Sequence, residues 1–214
     1  MTKNSITLKE ITKQYRHECV IDNVSVTMQA GIIHGLIGSN GSGKSMLMKI
    51  ICGLVTPDSG EVIVNDKIVG KDIEFPDCIG ALIEAPGFLS YKSGFNNLKY
   101  LASINHTIDD KKISETMRQV GLEPELRKAV GKYSLGMKQR LGIAQAIMED
   151  KEILLLDEPM NGLDKSGIKD MRALMLSLKE NGKTIVLASH NQADIDELCD
   201  TVYEMDQGTI VKVR

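Results

Sequence analysis

Ile32-Ile33-His34-Gly35-Leu36-Ile37 runs directly into Gly38-Ser39-Asn40-Gly41-Ser42-Gly43-Lys44-Ser45. A short apolar run followed by G-x-x-x-x-G-K-S reads as a strand, a phosphate-cradling loop and the start of a helix. The chemistry dictates the residue types. Glycines let successive backbone N–H groups turn inward with no Cβ in the way, forming a concave nest for anionic oxygens. Lys44 is placed to lie along the β- and γ-phosphates, and the Ser45 hydroxyl to ligate Mg²⁺. A helix expected from Lys44 to about Leu54 aims its positive dipole end at the same charge. Gly38, Ser39, Asn40, Gly41, Ser42, Gly43, Lys44, Ser45 and Met46 are therefore the expected nucleotide-binding residues.

Composition narrows the class. The 214 residues, 42% of them hydrophobic, suffice for one large α/β domain with room for a subdomain. Lys and Arg number 26 against 29 Asp and Glu, a net charge of −3, so no global positive field recruits nucleic acid. No apolar stretch reaches the ~18 residues of a membrane helix; Ile153-Leu154-Leu155-Leu156 is broken by Asp157. The polar start Met1-Thr2-Lys3-Asn4 has no apolar segment behind it, so no secretory signal is expected. Cys19, Cys52, Cys78 and Cys199 are scattered, with no C-x-x-C pair and no histidine cluster nearby. They read as reduced, buried thiols of a cytosolic enzyme. The N-x-S/T triplets at Asn23, Asn40 and Asn105 read as chance, since one lies inside the phosphate loop, where a glycan would not fit.

Strand-like segments come first, at Ser5–Ile11 and Cys19–Met28, and Asn65-Asp66-Lys67 places a turn between Glu61–Val64 and Ile68–Val69. Thr56-Pro57-Asp58-Ser59-Gly60 closes the first helix with turn chemistry. From about Gly94 to Met148 the pattern is helical, with Leu98, Leu101 and Ile104, then Ile113, Met117 and Val120, on apolar faces. Strand and helix then alternate: Glu152–Leu156, about Lys165–Asn181, Thr184–Ala188, Gln192–Cys199. Such alternation argues for a mainly parallel sheet. Thr201–Met205 and Thr209–Val213 flank Gln207-Gly208 as a hairpin. No repeat is present, so one phosphate loop is expected and no tandem copy.

A second phosphate-related constellation stands at Ile153-Leu154-Leu155-Leu156-Asp157-Glu158-Pro159. Four consecutive apolar residues make a strand buried on both faces, whose C-terminal end delivers the acids to a crevice. Asp157 is suited to hold Mg²⁺ through its water shell. Glu158 faces elsewhere, because side chains alternate along a strand, and can accept a proton from an attacking water. A solvated pair of carboxylates is the structural alternative.

Tyr133-Ser134-Leu135-Gly136-Met137-Lys138-Gln139-Arg140 resembles the signature motif of ATP-binding-cassette ATPases, usually written L-S-G-G-Q, and lies, as in that family, a short way before the acidic strand. Asn161-Gly162-Leu163-Asp164 is similar to the family's following loop, where Asp164 is the matching acid, and Ala188-Ser189-His190 to its switch histidine. The resemblance runs from Tyr15 to the last strand. It implies a P-loop NTPase cassette of α/β class, with a mainly parallel central sheet, an N-terminal antiparallel β subdomain and a helical insert. The single domain would span 1–214, with its catalytic core in 1–83 and 133–214 and the insert over about 84–132.

The resemblance also implies roles. ATP and Mg²⁺ would be the ligands, and two copies would pack head to tail, each ATP lying between one copy's phosphate loop and the other's signature residues Ser134, Leu135, Gly136, Met137 and Lys138. Ser134 begins the helix Leu135–Met148, whose N-terminus would face the γ-phosphate; taken alone, Ser134 reads as an N-cap. His190 would contact that phosphate and orient the water activated by Glu158. His17, His34 and His106 read as polar loop residues. Tyr15 matches the aromatic that stacks on adenine, with core packing as the alternative.

Two departures from the family pattern are visible. The signature reads S-L-G-M-K, with Met137 in place of its second glycine. The family's switch glutamine, which ligates Mg²⁺, falls at Glu84, where a carboxylate adds charge and removes an amide donor. A subgroup similar to bacitracin-export and lantibiotic self-protection ATPases carries both features. The resemblance implies a subunit, cytoplasmic and peripheral on the inner face of the membrane, that drives export of a membrane-active peptide through a separate integral-membrane permease. A soluble cassette in a non-transport role is the alternative, but such chains generally carry two cassettes or a long coiled-coil insertion. Of the three Phe and five Tyr in the chain, Phe88, Tyr91, Phe95 and Tyr100 cluster in the insert, either as a small core or as a docking groove for the permease, with Glu84 linking that groove to Mg²⁺.

Overall fold

The computed structural model describes residues 4–16, 18–85 and 87–214. Met1, Thr2, Lys3 and His17, which enter the sequence reading, lie outside the described residues, as does Pro86. Strand β1 (Asn4–Tyr15) and strand β2 (Glu18–Gln29) pair antiparallel over most of their length. β1 begins with Ile6 and Leu8 buried and continues with Ile11 buried, so its alternation changes phase in between. The cause is a bulge between Leu8 and Ile11, where Glu10 adopts φ 52°. This break in period is why alternation alone ends the strand too early.

Strand β3 (Ile33–Ile37) leads through the phosphate loop to helix α1 (Lys44–Ile51). The helix stops three residues before the expected Leu54. At Gly53, φ is 76° and an added Cβ would lie 2.6 Å from the Glu74 carbonyl oxygen, so close backbone approach ends it. Strands β4 (Ser59–Val64) and β5 (Lys67–Ile68) follow, joined by Asn65 and Asp66, both at positive φ. Then come β6 (Ile79–Leu82), α2 (Gly94–Asn105), α3 (Asp110–Gln119), α4 (Leu135–Ile147), β7 (Ile153–Asp157), α5 (Lys165–Glu180), β8 (Thr184–Ala188), α6 (Gln192–Leu198), β9 (Thr201–Asp206) and β10 (Thr209–Lys212).

Among the described residues the strands form two sheets. One is antiparallel, in the order β2-β1-β4-β5. The other runs β10-β9-β3-β8-β7-β6, parallel from β9 to β6 with β10 antiparallel at its edge. Every residue of β7 and β8 is buried. Ile153, Leu155, Val186 and Ala188 join α1 and the antiparallel sheet in one core, while Leu154, Leu156, Ile185 and Leu187 join the helices in another. Because β3, β6, β7 and β8 are parallel, the loops that follow them all emerge along one carboxyl edge.

Helices α2, α3 and α4 share the second core through Leu98, Ala102, Ile113, Met117 and Leu141. Ile104, expected on the apolar face, is exposed. Six positions beyond Leu98 it lies about 120° around the helix, and the buried stripe follows Leu98 and Ala102 instead. β6 is pressed onto α4 so closely that a Cβ at Gly80 would lie 2.0 Å from the Ala146 carbonyl oxygen.

Two expectations about polar residues are corrected here. His34 is not a loop residue: it lies in β3, buried, with Nε2 2.8 Å from the Gln29 carbonyl oxygen and Nδ1 2.7 Å from Thr201 Oγ1. Its partners sit on β9 beside it and at the end of β2 in the other sheet, and the Thr201 contact spans 167 residues. His106 does lie at the surface, ending α2 in a left-handed conformation. The cysteines divide as well. Cys52 and Cys199 are buried, and burial pushes both thiols up to about 12, whereas Cys19 is exposed at the end of the β1–β2 hairpin.

Candidate functional site

The phosphate loop is built by close backbone approach. At Gly38 (φ 141°) a Cβ would lie 2.2 Å from the Met205 carbonyl oxygen, and at Gly43 (φ 109°) 2.9 Å from that of Val20. Only glycine fits either position. Gly43 caps α1, and no acidic residue occupies the helix's first turn to compete for its free N–H groups. Lys44 is buried and donates from Nζ to the carbonyl oxygens of Gly38 at 2.7 Å and Ser39 at 2.8 Å. The loop thus holds its own lysine across its mouth. Among the described residues, Ser42 Oγ is buried without a hydrogen-bond partner. A buried hydroxyl left unpaired in a concave loop is the mark of a place meant for a further polar group.

The acids meet this loop from β7. Ser45 Oγ donates to Asp157 Oδ2 at 2.5 Å, so the expected metal pair is assembled. Glu84, just past β6, lines the same cleft, with its carboxylate 2.6 Å from Lys49 Nζ one turn along α1 from Ser45. Among the described residues, no group of three or more His, Cys, Asp and Glu side chains is arranged to hold a metal. A hydroxyl beside one carboxylate, in a cleft shaped for phosphates, fits Mg²⁺, which keeps most of its ligands from water and phosphate oxygens.

Glu158 departs from the alternation expected of it. It leaves β7 at φ 49°, which turns its side chain toward the same cleft as Asp157 rather than to the opposite face. Its Oε2 lies 2.8 Å from Nδ1 of His190, which follows β8. Two adjacent strands therefore deliver the two expected catalytic groups to one point. The Glu158 carbonyl accepts a hydrogen bond from Gln139 Nε2 at 2.9 Å, tying the turn to α4.

Of the remaining expected residues, some line the cleft and others do not. Asn40, Gly41, Gly43, Lys44, Ser45 and Met46 line it. Tyr15 is 47% exposed on β1, which removes core packing as its role, and it is not among the lining residues. Ser134 caps α4, accepting from the Met137 N–H at 3.2 Å. Leu135 reaches the cleft rim and is exposed, whereas Ser134, Gly136, Met137 and Lys138 are not among the lining residues. Met137 packs instead against the helical core. Asp164 caps α5 through the Gly167 N–H at 3.0 Å.

Residues 21–161 match the family described as ABC transporter. The chain belongs to that family. An uncharacterized ABC transporter ATP-binding protein of Bacillus subtilis (strain 168) is 42% identical over 205 residues, which cover 96% of this chain and 94% of that one. A bacitracin transport ATP-binding protein of Enterococcus faecalis is 39% identical over 97% of this chain and 68% of its own. A lantibiotic transport ATP-binding protein of Streptococcus pyogenes is 34% identical over 95% and 88%. In fold, the chain superposes with a TM-score of 0.87 on an ATP-binding cassette solved as a dimer in a post-hydrolysis state with ADP and Pi, at 23% identity and over 98% and 99% of the two chains. This is an ABC-type ATPase, the ATP-binding subunit of an ABC transporter.

Val20, Lys49, Ala85 and Gln139 line this ABC cleft and carry no role in the sequence reading. Gln139 is the fifth residue of α4 and lies on the same face as Leu135, four positions earlier; that spacing was the available signal. Lys49 bears the same relation to Ser45 on α1. Nothing in the residue types of Val20 and Ala85 marks either of them. Among the described residues, no helix is long and apolar enough to cross a membrane.

Proposed function

We propose that this chain binds ATP with Mg²⁺ and uses its hydrolysis to drive export of a membrane-active antimicrobial peptide through a separate permease. The observation that carries the catalytic part is the convergence of Lys44, Ser45, Asp157 and Glu158 on one cleft, with His190 2.8 Å from the Glu158 carboxylate. In this reading the phosphate loop and the start of α1 hold the phosphates, and Lys44 exchanges its two carbonyl partners for phosphate oxygens. Mg²⁺ held by Ser45 and Asp157 would neutralise charge on the phosphates, with Glu84 as a further carboxylate in reach once it leaves Lys49. Glu158 accepts the proton of the attacking water as a bond forms to the γ-phosphorus and the bond to the β-bridging oxygen breaks. His190 stands beside both the carboxylate and the phosphate.

The signature residues act on a second copy. Ser134 and the free N–H groups at the start of α4 complement the γ-phosphate bound by the other subunit's loop. Tyr15 stacks on adenine. The helical insert, about 84–132, receives the permease, which places the subunit at the inner face of the membrane. The peptide class of the cargo is supported by similarity to bacitracin and lantibiotic transport ATP-binding proteins. The test is twofold. Tagged chain recovered from detergent-solubilised membranes should bring down a multi-span protein and hydrolyse ATP. Deleting its gene should lower the tolerated concentration of bacitracin or a lantibiotic. Recovery of no multi-span protein, together with unchanged tolerance after deletion, would overturn the transport reading.

A further inference from the structure

His190 has a side chain 65% exposed, and Glu158 is the polar partner that holds it. A ring with so little packing is placed by its backbone, and that backbone is tied on both sides. Ser189 Oγ accepts a hydrogen bond from the Asn191 N–H at 3.1 Å and donates to Asp194 Oδ2 at 3.3 Å. Asn191 Oδ1 in turn accepts from the Ala193 N–H at 3.0 Å and starts α6. Asp194 is 1% exposed, a position where a carboxylate is costly without a cationic, hydrogen-bonded partner. Its partner is Arg172 of α5, which donates from Nε at 2.9 Å and Nη2 at 2.5 Å to the other oxygen, Oδ1. Arg172 also reaches Glu197, one turn farther along α6.

Joining two helices does not require this arrangement. Ile195 and Leu198 already bury the same helix, and a buried ion pair contributes little net stability beside apolar side chains of equal volume. What the charge pair adds is direction. With Oδ1 taken by the guanidinium, Oδ2 is left aimed at Ser189, the residue before His190. We infer that Arg172 and Asp194 are positioning residues, acting through Ser189 to hold His190 against Glu158. The inference rests on the proposed role of His190 in hydrolysis.

The test uses the full chain with ATP and Mg²⁺. Ser189→Ala removes the tie and leaves the buried Asp194 still paired with Arg172. The double variant Arg172→Met with Asp194→Leu removes the charge pair while keeping volume, so that folding survives. Both should lower kcat for ATP hydrolysis roughly tenfold with KM for ATP within about twofold. Both should also shift or broaden the His190 ring signals in a spectrum of histidine-labelled, nucleotide-free protein, assigned with His190→Ala. Adding Ser189→Ala to His190→Ala should cost nothing further, because the two act as one unit. Unchanged kcat together with unchanged His190 ring signals in both variants would overturn the inference. If His190→Ala itself hydrolyses ATP normally, the role of His190 fails, and the ring signals alone still decide whether Asp194 and Ser189 place it.

Discussion

Ser45 Oγ and the Asp157 carboxylate, 112 residues apart in the chain, meet at 2.5 Å where α1 begins and β7 ends. The parallel neighbours of the central sheet make this meeting possible, because the carboxyl end of each strand opens on the same edge. Asp157→Asn keeps an acceptor for Ser45 and changes only the charge. ATP binding without metal should be unaffected, whereas the Mg²⁺ concentration needed for half-maximal hydrolysis should rise roughly 10–100-fold. Titration of Mg²⁺ at fixed ATP reads this directly.

Glu158→Gln preserves size and hydrogen bonding and removes basicity. Phosphate release should fall by about 10²–10⁴. ATP should still bind and hold two copies together, so light scattering of this variant with ATP and Mg²⁺ should give twice the monomer mass, returning to monomer without nucleotide. Near-normal turnover would remove Glu158 from the role of base.

The aromatic cluster of the insert divides in the structure, and the division makes a prediction sharper than the cluster did. Phe88 and Phe95 pack against the helical core, whereas Tyr91 is 73% exposed and Tyr100 is exposed beside Lys92, whose Nζ lies 5.2 Å from its ring centre. Tyr91→Asp should therefore leave the thermal unfolding temperature and basal hydrolysis near those of the parent while abolishing co-purification with the permease. Phe88→Asp, which buries a charge against apolar side chains, should lower stability by about 2–4 kcal/mol. A denaturant titration separates the two outcomes.

His34 gives a pH dependence. Burial, the largest influence, holds its imidazole below the ordinary value of 6.5, although the Gln29 carbonyl pulls the other way. In the unfolded chain the same ring takes up a proton as pH falls through 6.5, while the folded protein keeps it neutral. The unfolded state then binds more protons, so the stability present above that pH declines as pH falls below it. Thermal unfolding should show a drop between pH 7.5 and 5.5, and His34→Gln should flatten part of it.

Much of the site was legible because its chemistry is written in contiguous residues. The run from Gly38 to Ser45 and the pair Asp157–Glu158 each occupy a strand-to-loop junction, and the residue types there name the chemistry even though distant contacts set the geometry. What stayed hidden depends on other parts of the chain. The phase change at Glu10 lengthens β1, His34 finds its partners on Gln29 and Thr201, and Glu158 turns against alternation at a positive φ. The Lys49–Glu84 and Arg172–Asp194 pairs span 35 and 22 residues, and no periodicity announces either. Cys19 reads as a buried thiol because its residue type usually is one, but it sits at an exposed hairpin end.

Gly80 has a mechanical consequence. With the Ala146 carbonyl oxygen 2.0 Å from where a Cβ would stand, β6 and the far end of α4 interlock and have no room to slide. One member of this locked pair runs on to Glu84, and the other carries Leu135 at its opposite tip. α4 is also tied near its start, where Gln139 donates to the Glu158 carbonyl. The helix is therefore fastened at both ends, to the strand that leads to Glu84 and to the turn that carries Glu158. A side chain as small as alanine at position 80 would force β6 and α4 apart.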